Sequence, residues 1–280
     1  MEKSRVMIFD LLRILAIAII VCFHSWELFI PKPLTFTIPI IGLVSMGTIG
    51  IALFVFVSGA VLEISYRAKP TDYISFIKAR IIRIFPAFWC TLLILMIVVP
   101  VQHTISNILL EFMGMGIFAL NLRNMIDGPG WFIGLIFIYY LIFPFITKWM
   151  ERYSLLIIGM SVCLTALGFE LQNQFPVIFS DVLSVRILQY FAPFIIGLYI
   201  VNVNWYPKIK STHYITLLAE FSFYIYLLHQ PIIGYWGLYA HNPVFAFSLV
   251  VALSLILMKI DTWIHESFFF KKLDKKNVAS

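Results

Sequence analysis

An arginine and a histidine stand in one apolar run, FDLLRILAIAIIVCFHSWEL, at Arg13 and His24. Ionisable side chains in an apolar run of membrane length are expensive and by default mark function. At roughly 100° per residue the two come round to one helix face, about 16 Å apart along the axis. A histidine, with an ordinary pKa of about 6.5, can take the proton of an attacking hydroxyl. A guanidinium suits the phosphates of an anionic donor. The pair therefore fits acyl transfer from a thioester to a hydroxyl, with His24 as general base. Glu27, three residues beyond His24, lies one turn further along, where a carboxylate can orient the ring and support the imidazolium. The plainer alternative is a packed histidine and an arginine snorkelling to the surface.

Other groups extend this pattern. The segment FIKARIIRIFPAFW holds Lys78, Arg80 and Arg83, with Arg80 and Arg83 on one face if helical. They read either as an anchor on anionic head groups or as a phosphate clamp. Pro86 predicts a kink or a helix start. In FVSGAVLE, Ser58 and Gly59 allow close helix approach, and Glu63 is expected to bridge to Arg13 or to the basic segment. Trp131, in GPGWFIGLIFIYYLIFP, fits either an interface aromatic or a sugar-stacking platform. His229, in FSFYIYLLHQP, comes out at about the depth of His24 if its helix starts near His213. Glu220, about half a turn round from His229, is not expected to touch it.

These residues need helices to position them. The 280 residues are 61% hydrophobic and 12% charged, with mean hydropathy +0.96. That charge content is about half of what a soluble domain carries. Eight apolar runs are clear, at 8–30, 42–66, 84–101, 131–149, 154–171, 187–203, 213–236 and 244–263, most of them near the length that crosses a bilayer. The segments 105–122, which carries Glu111, and 172–186 would raise the count to ten. With eight spans and a cytoplasmic N-terminus, 15 Lys and Arg fall inside and 3 outside (Lys32, Arg123 and Arg186), as the positive-inside rule requires. The expectation is an all-α polytopic transmembrane helix bundle with an even number of spans and both termini cytoplasmic. Residues 1–280 form a single membrane domain with a short basic tail at 265–280. The first run is too long for a signal peptide core and lacks a cleavage site. The net charge of +6 sits in short loops, which argues for topology rather than nucleic acid. Cys22, Cys90 and Cys163 have no metal-ligand or disulfide spacing.

In order along the chain, the motifs resemble the acyltransferase 3 family of polytopic membrane acyltransferases, which includes O-acetyltransferases of bacterial surface polysaccharides. The family's first-span Arg, ten residues, His pattern falls on Arg13 and His24. Its SG-containing second span resembles Ser58-Gly59. Its RxxRIxP segment matches Arg80, Arg83, Ile84 and Pro86, its WFL-type span resembles Trp131 to Pro144, and its YLLH motif matches Tyr226 to His229. Ile133 replaces the usual leucine, and an appended hydrolase-like domain, which some relatives carry, is not expected.

The resemblance implies about ten spans, a cytoplasmic acyl-coenzyme A donor and an acceptor at the outer face. It implies that Arg13 and His24 are functional, with His24 catalytic, and that Arg80 and Arg83 lie near the donor. The resulting expectation is an acetyl-coenzyme A-dependent O-acetyltransferase in a prokaryotic inner membrane. Its acceptor is an extracytoplasmic or lipid-linked glycan approached past Trp131, His229 and Glu27. Acetyl-coenzyme A serves as co-substrate, with no permanently bound cofactor or metal, and membrane lipids surround the bundle. His24 acts by direct base catalysis or through an acetyl-histidine. The rival reading is a proton-coupled secondary transporter using the same buried charges, although the two matching halves common in transporters are not seen.

Overall fold

The computed structural model describes residues 5–29, 35–38, 42–100, 103–118, 125–175, 183–239 and 241–270. The chain is helical almost throughout. Helix α1 spans Met7–Phe29, α2 Met46–Ala68, α3 Tyr73–Val98, α4 Ile105–Phe112, α5 Trp131–Gln174, α6 Phe191–Asn202, α7 His213–Ile232 and α8 Pro243–Ile264. A small antiparallel hairpin, β1 (Thr35–Ile38) and β2 (Gly42–Ser45), joins α1 to α2, with Thr35 opposite Ser45 and Ile38 opposite Gly42. It is an addition to the all-α expectation. Among the described residues, five helical segments are long and apolar enough to cross a membrane, one of them covering all of α5.

The helix starts are written locally. Ser45, Asp72, Thr212 and Asn242 each cap a helix, accepting the N–H of Thr48, Ser75, Ile215 and Phe245 in turn. The Asp72 cap explains why α3 starts well before the run at 84. The helix continues through Pro86, so Lys78, Arg80 and Arg83 ride on α3 itself. That corrects the expectation of a helix start at Pro86. The lost backbone bond is tolerable where neighbouring helices and local adjustment re-satisfy the freed groups.

Helix α5 is two legs. Tyr153 leaves helical geometry (φ −126°, ψ 34°). Tyr139 donates its hydroxyl to the carbonyl of Ile187 at 2.7 Å, and Thr165 donates to the next carbonyl, Leu188, at 3.0 Å. In a straight helix Tyr139 and Thr165 would stand about 39 Å apart. Their meeting on adjacent residues means that the chain reverses at Tyr153, where the sequence separates 131–149 from 154–171. Segment 105–122, by contrast, is no continuous span. Helix α4 stops at Phe112, and Gly114, at φ +70°, turns the chain before a short 3-10 turn at Gly116–Phe118. Of the other doubtful segment, residues 176–182 lie outside the described residues.

Packing contacts fix the directions of the legs. Gly47 meets Phe23 and Gly50 meets Ile20, so α1 and α2 are antiparallel. Phe76 stacks on Phe143 with ring centroids 5.3 Å apart, while Gly130 meets Phe88, which sets α3 against the first leg of α5. Trp236 meets Phe245 and Tyr224 binds Asp261, so α7 and α8 are antiparallel. The tightest seam joins α2 and α6. A Cβ on Gly59 would strike the carbonyl oxygen of Phe194, and one on Gly197 would strike that of Phe56. Small residues there let two backbones touch, as the Ser58-Gly59 pair predicts. The bundle thus has two ends. His24, Trp131 and His229 lie toward one, here termed the histidine end. Arg5, Arg67, Arg80, Arg83, Lys148, Arg152 and Lys208 lie toward the other, the arginine end.

Candidate active site

At the histidine end, α1 and α7 bring two imidazoles together. The ring centroids of His24 and His229 are 5.2 Å apart. His229 is fully buried. Its Nδ1 lies 2.7 Å from the carbonyl oxygen of Tyr226. A carbonyl can only accept, so Nδ1 carries the proton and, in the neutral ring, Nε2 keeps the lone pair. That Nε2 has no hydrogen-bond partner. His24 is partly exposed. The pair is therefore one enclosed ring, fixed in a tautomer by its own helix, beside a second ring that is partly exposed.

The motif around His229 is tied to the turn before α5. Tyr226 donates its hydroxyl to the carbonyl of Pro129 at 3.1 Å, and its ring centroid is 5.7 Å from that of His229. Gln230 rests on Gly128. Beneath this turn, Glu111 accepts the N–H of Ile126 at 2.7 Å and of Asp127 at 2.9 Å. Burial lifts the Glu111 carboxyl to about 7, against the pull of those two bonds. Asp127 is wholly buried, and both its carboxyl oxygens lack partners. Burial, reinforced by neighbouring Glu111, lifts it well above the usual carboxylate range. Both causes favour the neutral form of the Asp127 carboxyl over the charged one.

Trp131 is only 6% exposed. It stacks on Tyr190 at 5.9 Å and carries the guanidinium of Arg186 over its ring at 4.1 Å. The face of Trp131 is thus covered by the protein's own arginine and tyrosine rather than left as an open platform. Of Glu27, expected beside His24, the side chain lies outside the described residues.

At the arginine end, Arg13, Arg80 and Arg83 come together. Arg13 feels the charges of Arg5, Arg83 and Asp10 and faces Tyr140. Arg80 packs over the rings of Phe76 at 5.2 Å and Tyr140 at 5.9 Å, and its buried Nε has no partner. Arg83 lies in electrostatic range of Tyr224 and Asp261. Among the described residues no carboxylate pairs with any of the three. The nearby acids are engaged elsewhere. Arg5 takes Asp10 at 2.9 Å and Glu220 at 2.5 Å. Glu63, 1% exposed, binds Arg67 at 2.6 Å and accepts the Thr147 hydroxyl at 2.5 Å. The expected Glu63 ion pair exists, but its partner is Arg67, one turn along the same helix, rather than Arg13 or the basic segment.

The arrangement separates two chemistries along α1. Unpaired guanidinium groups at one end can hold a polyanion, and imidazoles about 16 Å further on can move a proton. The acyltransferase 3 family model, described as an acyltransferase domain, matches residues 8–217. The chain belongs to that family. It is a membrane acyltransferase. The match takes in Arg13, His24, Arg80, Arg83 and Trp131, while His229 lies beyond it. No curated protein and no solved structure matches the chain.

Arg186, Tyr190 and Asp127 join the site without having been singled out from sequence. The first had a legible signal, as one of three cations on the sparsely charged side of the topology count. Asp127 and Tyr190 had none, because an aspartate before Gly-Pro-Gly reads as an ordinary turn residue and a tyrosine in an apolar run as packing.

Proposed function

We propose that this chain is an acetyl-coenzyme A-dependent O-acetyltransferase acting on a glycan hydroxyl at the outer membrane face. The observation that carries this reading is the meeting of His24 and His229 at one end of α1, with Arg13, Arg80 and Arg83 unpaired at the other. An acyl-coenzyme A has the same polarity, with several phosphates at one end and a thioester at the end of a long neutral arm. The sorting of Lys and Arg supports a cytoplasmic arginine end. The reversal at Tyr153 and the alternating legs support eight passes with both termini inside.

In the reaction the acceptor hydroxyl oxygen attacks the acetyl carbonyl carbon. His24 takes the hydroxyl proton as the new C–O bond forms. The tetrahedral intermediate collapses with cleavage of the C–S bond, and the thiolate leaves and recovers the proton from His24. Protons balance, and no other reactant is needed. His229, with Nδ1–H bound to Tyr226, offers the lone pair of Nε2 toward the same region and can hold the His24 imidazolium or a bridging proton. Arg80 and Arg83 hold donor phosphates, with Arg13 next along α1.

The test is mass spectrometry of envelope glycans from cells carrying the protein, the His24→Ala variant or neither. Acetyl esters should appear only with the unaltered protein, at equal membrane levels of both forms. Normal esterification by His24→Ala would overturn the role of His24. Esters that do not depend on the chain at all would overturn the reading as a whole.

A further inference from the structure

Arg186 is a cation at the end of the bundle where cations are rare. It enters through the turn Arg186–Gln189 that leads into α6. Its guanidinium carbon lies 4.1 Å from the centroid of Trp131, within stacking distance. Tyr190 stacks on the same indole, and the hydroxyls of Tyr190 and Tyr226 are within electrostatic range. Among the described residues Arg186 has no carboxylate partner and no side-chain hydrogen bond. Stacking engages only the flat face of a guanidinium and leaves its five N–H donors pointing outward in the plane. The residue is partly exposed, though its charged head is largely enclosed by the surrounding rings.

Neither topology nor packing accounts for this arrangement. The positive-inside rule disfavours a cation here. An indole stack also accepts an apolar or neutral side chain at no charge cost, whereas a cation held among aromatic rings without a counter-charge is costly. The other cations near carboxylates, Arg5 and Arg67, are paired with them. An oriented, unpaired guanidinium with a free edge is the usual receptor for a planar or tetrahedral oxyanion. Tyr226 links it to the imidazoles: its hydroxyl is in electrostatic range of Arg186, and its ring centroid is 5.7 Å from that of His229.

We propose that Arg186 reads an oxyanion on the acceptor, so that the acylated hydroxyl belongs to a saccharide bearing a carboxylate or a phosphodiester. This rests on the acyl-transfer reading above and specifies its acceptor. Arg186 is a specificity-determining residue: it seats the anion, and the neighbouring hydroxyl then falls at His24.

The experiment locates the chain-dependent acetyl ester by tandem mass spectrometry of the isolated glycan. The ester should lie on, or next to, a residue carrying a carboxylate or a phosphodiester, and the fragment masses say which. An ester confined to a neutral glycan overturns the proposal while leaving acyl transfer intact, whereas absence of any chain-dependent ester defeats the acyl-transfer reading instead. Arg186→Gln should lower esterification at least tenfold with unchanged acetyl-coenzyme A affinity of the purified protein. Arg186→Lys, which keeps the charge but loses the planar fork, should fall between. Full esterification by Arg186→Gln overturns the proposal. The ester's location in the unaltered protein decides the matter even where a variant folds poorly.

Discussion

At the arginine end the acids are consumed and the bases are left over. Asp10 and Glu220 are held by Arg5, and Glu63 by Arg67, while among the described residues Arg13, Arg80 and Arg83 have no carboxylate partner. At the histidine end the acids are the surplus. Among the described residues Glu111 has only backbone N–H partners and Asp127 has none for its carboxyl, and the side chains gathered there are imidazoles and tyrosines. Leftover guanidinium groups retain charge and wait for an anion from elsewhere. Leftover carboxyls in a closed turn take up protons and become silent. One end is thus built to bind and the other to transfer a proton, and α1 is the rod that spaces them.

This contrast breaks most sharply at α1. His24→Ala should lower turnover by about 10²–10⁴-fold, the usual weight of a general base, with acetyl-coenzyme A affinity unchanged. Single-turnover acyl transfer and donor titration on the purified protein would measure both. Arg80→Gln together with Arg83→Gln should do the reverse. Each lost charge-assisted bond is worth roughly 1.5–3 kcal/mol, so donor KM should rise tenfold or more per arginine while kcat changes little. A drop in kcat alone would place these arginines outside the donor site. Glu63→Gln should destabilise the fold by roughly 1–2 kcal/mol, since it weakens the bonds to Thr147 and Arg67 but leaves behind only the half-exposed Arg67 charge. It should spare the KM of whatever remains folded, as read by thermal unfolding in detergent.

The smallest effect belongs to the silent carboxyls. Glu111 is raised from 4.5 to about 7 in the folded chain, which therefore binds this proton more tightly than the unfolded chain. Stability should be greatest below about 4.5, fall as pH rises to about 7, and then level off as far as this group is concerned. Asp127, also raised, should extend the fall upward. Glu111→Gln should flatten the decline between pH 5 and 7 in a thermal unfolding series, while Asp127→Asn, a near-neutral replacement, should be well tolerated. A stability that rises across this window would contradict the neutral state of the turn.

Much of this contrast is legible in the sequence because it follows from period and depth. The spacing of Arg13 and His24 needs only helix geometry, and the depth of His229 needs only the start of its helix. The break between 149 and 154 shows as a polar interruption in apolar runs. What escapes is whatever depends on which neighbour arrives. Glu63 found Arg67 because a partner one turn away on its own helix costs less ordering than one on another helix. Pro86 stayed inside α3 because the Asp72 cap sets the start upstream. Trp131 looked like a free platform because nothing local says that Arg186, a distant residue, will lie over it.

The seam between α2 and α6 carries a consequence for how substrates come and go. Where Gly59 meets the Phe194 carbonyl and Gly197 meets that of Phe56, two backbones are in direct touch, with no side chains between them to rearrange. Such a joint has no slack, so these two helices travel as one piece. An irregular stretch beside the reacting pair is on α7, which carries Pro231 just before its end at Ile232 and runs on as a wider π-helical coil over Ile233–Tyr239. His24 thus stands between a rigid pair of helices and a helix, α7, that carries its partner His229 and loosens just beyond it.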